Sequence, residues 1–123
     1  MRKHKWQGRQ PRHEPGKMNK TEAAYAFRLD LLREELGIES WLFESVKLRL
    51  ADNTWYTPDF FVICEDHFEV HEVKGFWRED ARVKWKVAAE QYPWFKFIAA
   101  QVIPKKHGGG WKVEVYGGTE GDE

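Results

Sequence analysis

The chain has 123 residues, of which 20 are lysine or arginine and 20 are aspartate or glutamate, so its formal net charge is zero. This length predicts one domain with a modest core, and the neutral balance alone indicates no polyanionic partner. The single cysteine, Cys64, excludes an intramolecular disulfide and a cysteine-based zinc site. No signal peptide or transmembrane stretch is visible, so we expect a soluble cytoplasmic protein without a membrane partner.

The charge is distributed unevenly along the chain. Residues 1–20 hold seven lysines and arginines and one acidic residue, Glu14, among glycines and prolines. We interpret residues 1–18 as a flexible basic arm, which is either a solvated terminus or a segment that becomes ordered on nucleic acid. Residues 19–116 are predicted to form a single folded domain, and residues 117–123 a disordered acidic tail.

A helix is predicted from Asn19 to Leu36, with Gly37 as its C-cap. Its apolar side chains recur on one face; they are Tyr25, Leu29, Leu32 and Leu36. Glu22 has two interpretations. It completes a capping box with Asn19, or it points from the edge of the apolar face toward the sheet, where it would be available for chemistry.

The next segment, Ile38–Leu50, is predicted as one strand that ends at a turn over residues 51–54. The stretch Tyr56–Lys74 then predicts two further strands joined by a turn at Glu65 and Asp66. Apolar strands of this kind are usually buried, yet they carry Asp59 and Glu72. Burying carboxylates is unfavourable without a compensating cation, and hard divalent cations bind carboxylate oxygens. This segment therefore predicts a metal site.

The register of this hairpin follows from its two-residue turn. Cys64 lies opposite His67, and the same antiparallel pairing places Asp59 opposite Glu72, with Cβ atoms about 5 Å apart. Glu72 and Lys74 share one face because side chains alternate with period two. His71 falls on the opposite face, so we expect it to be structural rather than catalytic.

The remaining segments predict an alternation of helix and strand. A second helix is predicted over Glu79–Gln91. A strand over Trp94–Val102 is expected to run parallel to the Glu-Val-Lys strand, because a helix connects the two. A loop over 104–110 and an edge strand over Trp111–Tyr116 complete the domain. The predicted class is α/β, with a mixed sheet of about five strands flanked by two main helices.

Four stretches carry a family resemblance. Pro58-Asp59, a spacer and Glu72-Val73-Lys74 resemble the motif of the PD-(D/E)xK nuclease superfamily. The chain from Asn19 to about Ile103 also resembles small phage-type nuclease-like proteins of that superfamily, which are related to junction-resolving endonucleases. The supporting segments are 19–26, 56–60, 71–75 and 78–84. The resemblance implies a restriction-endonuclease-like core. It also implies that the protein acts in the cytoplasm, which for a phage protein is the cytoplasm of the host cell.

The resemblance also implies a set of site residues. Magnesium, for which manganese can substitute, would bind Asp59, Glu72, the carbonyl of Val73 and Glu22, and Lys74 would complete the catalytic group. DNA would contact basic side chains of the second helix and of the glycine-rich loop; these are Arg82, Lys84, Lys86, Lys105 and Lys106. An ordinary solvated face is the alternative for the basic helix, and a flexible turn is the alternative for the glycine-rich loop.

Three functions are open from the sequence. The resemblance favours a magnesium-dependent endodeoxyribonuclease that prefers branched DNA. The alternatives are a catalytically inactive nuclease-fold module that binds DNA or protein, and an interaction domain in which Asp59, Glu72 and Lys74 form a buried ion network. A symmetric cut in a duplex or junction needs two sites, so we also expect a homodimer.

Overall fold

The computed structural model describes residues 16–117 and confirms the α/β class. The described residues exclude positions 1–15 of the predicted basic arm and positions 118–123 of the predicted acidic tail. The elements are α1 (Lys20–Leu31), β1 (Ile38–Phe43), β2 (Leu48–Ala51), β3 (Thr54–Tyr56), β4 (Phe60–Cys64), β5 (Phe68–Lys74), α2 (Glu79–Gln91), β6 (Lys96–Val102) and β7 (Trp111–Val115). Neither α-helix between residues 16 and 117 is long and apolar enough to cross a bilayer.

The main sheet has five strands in the order β1-β4-β5-β6-β7. Strands β4 and β5 form the predicted hairpin, and α2 carries the chain from β5 to β6, which pairs with β5 in parallel as expected. Strand β7 pairs antiparallel with β6 at the edge of the sheet. The sheet is thus mixed, with β5 at its centre.

The two helices cover opposite faces of this sheet. Tyr25 and Leu29 of α1 pack against Phe60 and Val62 of β4. On the other face, the indole of Trp85 in α2 is fully buried in a second cluster of apolar side chains. That cluster includes Leu48, Leu50, Tyr56, Val70, Ala88 and Phe97. Each face of the sheet is therefore closed by one helix, and the small β2–β3 hairpin completes the α2 layer.

The predicted register of the β4–β5 hairpin is confirmed. Phe60 pairs with His71 and Ile63 pairs with Phe68, and the Cys64 N–H donates a 2.9 Å hydrogen bond to the His67 carbonyl. The same pairing sets Asp59, one residue before β4, level with Glu72. This alignment brings the two carboxylate-bearing segments together at the end of the sheet where β4 begins and β5 ends.

The single strand predicted over Ile38–Leu50 is wrong. Strand β1 ends at Phe43, and Glu44 takes a left-handed backbone conformation with φ of 49°. The chain then crosses to the α2 side of the sheet and forms β2, which pairs only with β3. The alternating apolar residues therefore belong to two strands that face different parts of the core.

The first helix is shorter than predicted, but the predicted glycine, Gly37, closes the turn that follows it. Regular α-helix stops at Leu31 and a helical turn continues to Gly37. There the N–H of Ile38 donates to the Arg33 carbonyl and the N–H of Gly37 donates to the Glu34 carbonyl. These two bonds, with Gly37 at φ of 66°, form a Schellman motif. Tyr25 and Leu29 are buried as predicted, Leu32 is half-buried and Leu36 is exposed.

Candidate active site

The candidate site lies where α1 begins, β1 and β5 end, and β4 begins. Asp59 is at its centre, directly after Pro58, whose fully buried ring restricts the backbone. The Asp59 Oδ2 atom accepts a 2.8 Å hydrogen bond from the Val73 N–H of β5. This bond fixes the carboxylate across the opening of the β4–β5 pair and leaves its remaining lone pairs for another partner.

Two glutamates join Asp59 at this point. Carboxylate oxygens of Glu22, Glu44 and Asp59 all lie within 4.8 Å of one another, and Glu22 and Asp59 are buried. Glu44 is held by two backbone contacts: its N–H donates to the Asp59 carbonyl at 2.9 Å, and its Oε1 accepts from the Gly16 N–H at 2.9 Å. Three chain segments far apart in sequence thus contribute one carboxylate each.

Glu22 completes the predicted capping box and also lies beside the other carboxylates; its role in chemistry stays a prediction. Its N–H donates to Asn19 Oδ1 at 2.7 Å, and its Oε1 accepts from the Asn19 N–H at 2.9 Å, which is a complete capping box. The same side chain is buried beside Glu44 and Asp59. Capping and membership of the carboxylate group are therefore compatible in this fold.

The electrostatics of Asp59 reflect this crowding. Burial, together with the neighbouring carboxylates of Glu72 and Glu22, raises the pKa of Asp59 to about 8. The Val73 N–H and the Lys74 ammonium lower that pKa but do not compensate. The protein therefore holds a carboxylate group that is short of positive charge, which is the condition that a cation relieves.

A second cluster adjoins the first on the α2 side. Glu72 Oε1 accepts a 2.5 Å hydrogen bond from the Tyr56 hydroxyl, and Glu72 Oε2 lies 3.2 Å from Lys74 Nζ. Glu72 is not among the three carboxylates that meet within 4.8 Å. Sequence reasoning paired Asp59 with Glu72 as joint ligands, which stays a prediction. Glu72 lies near enough to Asp59 to raise its pKa, and its carboxylate also contacts Tyr56 and Lys74.

The titration of this second cluster follows from its burial. Burial raises the pKa of Glu72, against the attraction of Lys74 and the hydrogen bond from Tyr56. Burial alone would lower the pKa of Lys74, but the carboxylates of Glu72 and Asp59 outweigh it and raise that pKa. Lys74 therefore carries a proton at neutral pH.

His71 lies away from this chemistry, as predicted from its face of the strand. Its ring is buried, with Nδ1 2.7 Å from the Tyr25 hydroxyl and Nε2 2.8 Å from Glu69 Oε1. Burial lowers the pKa of His71, so a neutral ring connects α1 to β5. His71 is a structural residue of the α1 face.

The candidate DNA contacts are in two different situations. The Arg82 guanidinium binds both carboxylate oxygens of Glu114, at 2.9 and 2.7 Å, and lies 5.3 Å from the centre of the Trp77 ring. Lys74 Nζ lies 5.9 Å from the same ring, so Arg82 belongs to the surroundings of the site. The other four side chains are exposed; they are Lys84, Lys86, Lys105 and Lys106.

The donor set fits a hard divalent cation. Carboxylate oxygens from Glu22, Glu44 and Asp59 are the ligand type that magnesium and manganese bind, and the raised pKa of Asp59 shows that this group lacks positive charge. Glu44 was missed by sequence reasoning because it was placed inside a continuous strand. Val73 contributes its N–H to Asp59, and its role as a carbonyl ligand stays a prediction.

Comparisons with models of protein families, with curated proteins and with solved structures gave no match. The arguments that follow therefore rest on the geometry of the site and on the sequence motif.

Proposed function

We propose that this protein is a metal-dependent DNA endonuclease that hydrolyses phosphodiester bonds. The observation that carries the proposal is a group of three carboxylates, from Glu22, Glu44 and Asp59, beside an ion pair between Glu72 and Lys74. A cation site next to a protonated amine suits a reaction in which negative charge develops on a phosphate. The Pro-Asp and Glu-Val-Lys motif supports the same assignment.

Magnesium or manganese would be held by Glu22, Glu44 and Asp59, with Glu72 and the Val73 carbonyl at the border of the group. When bound, such an ion supplies a water of lowered pKa and neutralises phosphate charge. The chain provides the rest of the arrangement. The Val73 N–H fixes Asp59, the Asn19 N–H fixes Glu22, and the Asp59 carbonyl and the Gly16 N–H fix Glu44.

Lys74 is proposed to stabilise charge rather than to remove a proton. Glu72 and Asp59 raise its pKa, so a protonated ammonium is available to donate hydrogen bonds to a non-bridging phosphate oxygen. Glu72 positions this ammonium at 3.2 Å, and the Tyr56 hydroxyl holds Glu72 in turn. The protonation of Lys74 favours stabilisation of the developing charge over orientation of the attacking water.

The proposed substrate is branched or distorted DNA, bound by a homodimer. Exposed lysines on α2 and near the glycine-rich loop, together with the basic arm, would contact phosphates; those in the described part are Lys84, Lys86, Lys105 and Lys106. Phosphate contacts carry little information about the DNA sequence, and they make the affinity for DNA fall steeply as the salt concentration rises. Phe76, two residues after Lys74, exposes 77% of its side chain and is available to stack on an unpaired base.

The test is cleavage of a labelled four-way junction and its linear duplex in magnesium, with light scattering to give the oligomeric state. Wild type is expected to cut the junction faster as a dimer, and Asp59→Asn is expected to lose cleavage. Asp52→Asn, at an exposed turn, is the matched control and should keep full activity. DNA binding that needs no magnesium and leads to no cleavage would favour the inactive module. A protein that neither binds nor cleaves DNA would favour the buried ion network.

A further inference from the structure

A second group of metal-binding side chains lies at the other end of the β4–β5 hairpin. Donor atoms of Cys64, His67 and Glu69 all lie within 4.8 Å of one another. The hairpin register produces this group, because Cys64 and His67 face each other across the two-residue turn and Glu69 follows two residues later on the same face. Five residues of strand, or about 16 Å, separate Cys64 from Asp59, so the two groups are distinct.

We propose that Cys64, His67 and Glu69 form a site for a borderline-soft divalent cation, with zinc as the ion that fits this donor set. A thiolate, an imidazole and a carboxylate are the three ligand types that zinc takes in proteins. Magnesium, which prefers oxygen ligands, is disfavoured by the thiolate. One cysteine excludes a site built on several cysteines, but it is sufficient for a site of mixed donors.

The distances allow the ion to enter with small movements. Zinc bonds of about 2.0–2.3 Å in a tetrahedral arrangement set donor atoms about 3.3–3.8 Å apart. The donor atoms here lie within 4.8 Å of one another, and His67 Nε2 lies 2.6 Å from Glu69 Oε2, so the His67 ring must move away from that oxygen. His67 can make this adjustment because its side chain is 39% exposed, whereas Cys64 and Glu69 are held in the hairpin. Three protein donors leave the fourth position for a water on the exposed side.

Neighbouring residues already orient the proposed ligands. His67 Nε2 lies 2.6 Å from Glu69 Oε2, toward the centre of the group, while His67 Nδ1 lies 2.7 Å from the Asp66 carboxylate. A carboxylate on the second ring nitrogen is the usual support of a metal-binding histidine. On the far side, His71 Nε2 lies 2.8 Å from Glu69 Oε1 and fixes that carboxylate.

Binding would exchange protons for the metal. The His67 Nε2 proton and the Cys64 thiol proton must both leave, since zinc binds neutral imidazole nitrogen and thiolate. Affinity is therefore expected to increase with pH.

The test is a titration of the full chain with Co²⁺, a spectroscopic substitute for zinc, followed by displacement with Zn²⁺. One equivalent of Co²⁺ is expected to produce a thiolate-to-metal charge-transfer band that Zn²⁺ removes. Cys64→Ser and His67→Ala should each lose the band, and His67→Ala leaves the buried core untouched. Asp66→Asn, at an exposed turn position, should weaken the affinity about tenfold or more.

Three controls keep this result separate from other metal binding. Glu65→Gln, at the turn beside Cys64, should leave the band unchanged. Asp59→Asn should also keep it, so failure of this site and failure of the proposed magnesium site are distinguishable. The double variant His4→Ala/His13→Ala removes histidines outside the described residues and should keep the band. The absence of a band in wild type, or a band of full intensity in His67→Ala, would overturn the proposal.

Discussion

Replacement of Asp59 by asparagine should make the metal-free protein more stable while it removes the response to magnesium. The amide oxygen of asparagine can still accept the hydrogen bond from the Val73 N–H. The substitution therefore keeps the contact that fixes the side chain and removes the group whose ionisation is unfavourable in the folded protein. The effect on stability follows from the unfavourable burial of a third carboxylate beside Glu22 and Glu44.

The magnitude follows from the pKa of Asp59. Its ordinary value of 3.8 is raised to about 8 in the folded protein, so the folded state is penalised progressively as pH rises from 3.8 to 8. The ordinary pKa of 3.8 lies about three pH units below pH 7, and each unit corresponds to about 1.4 kcal/mol of stability. The raised pKa therefore destabilises the folded protein at pH 7 by at most roughly 4 kcal/mol. Burial of the amide offsets about 2 kcal/mol of this, so we expect a net gain of about 2 kcal/mol, or about 8 °C in Tm.

Thermal unfolding at pH 7, followed by circular dichroism with and without magnesium, measures both effects. Wild type should gain about 2.7 kcal/mol when magnesium is at 100 times its Kd, and Asp59→Asn should gain almost nothing. Asp52→Asn removes a carboxylate that is exposed at the β2–β3 turn and should behave as wild type. If Asp59→Asn melts below wild type without metal, or responds equally to magnesium, the proposed metal site is wrong.

Three further predictions concern single side chains. Glu44→Gln should reduce cleavage at least tenfold and should also reduce the magnesium-induced rise in Tm, both measured on the same samples. An unchanged rise in Tm would show that Glu44 is not part of the metal site. Lys74→Ala should reduce cleavage about 100-fold or more but keep the magnesium-induced rise in Tm, because Lys74 holds no cation; equal turnover would end its assigned role. Hydrogen bonds from His71 and His67 outweigh burial and lower the pKa of Glu69 from 4.5 to about 2. The ionised Glu69 therefore stabilises the folded protein fully above pH 4.5, and this stabilisation is lost as pH falls through 2. Acid unfolding of Glu69→Gln should not show this loss of stability.

The sequence predicts the elements that local rules determine. A two-residue turn and period-two alternation sufficed for the register of the β4–β5 hairpin, because a shift by one residue would turn every apolar side chain to the wrong face. The bounds of α2 are those predicted, since acidic residues at its start and Pro93 after its end delimit it. The parallel pairing of β5 and β6 follows from the helical connection between them.

The sequence did not reveal how Glu44 reaches the site. Alternating residues over 38–50 resemble one strand, and no glycine or proline marks the left-handed turn at Glu44. Tertiary contacts impose that turn: the Glu44 N–H bonds to the Asp59 carbonyl, and β2 beyond it is needed to cover Trp85. Such contacts join segments far apart in sequence, so local periodicity cannot predict them. The hydrogen bond that holds Glu72 depends in the same way on a distant segment, because its donor, Tyr56, comes from β3.

The capping box at the start of α1 has a consequence for motion. Glu22 Oε1 accepts the Asn19 N–H, and the Ala23 N–H donates to the Asn19 carbonyl at 2.9 Å. The free energy of opening the first helical turn therefore includes the withdrawal of Glu22 from the neighbouring carboxylates. Amide hydrogen exchange at Asn19 and Ala23 thus senses the charge state of a site whose other members lie more than twenty residues further along the chain.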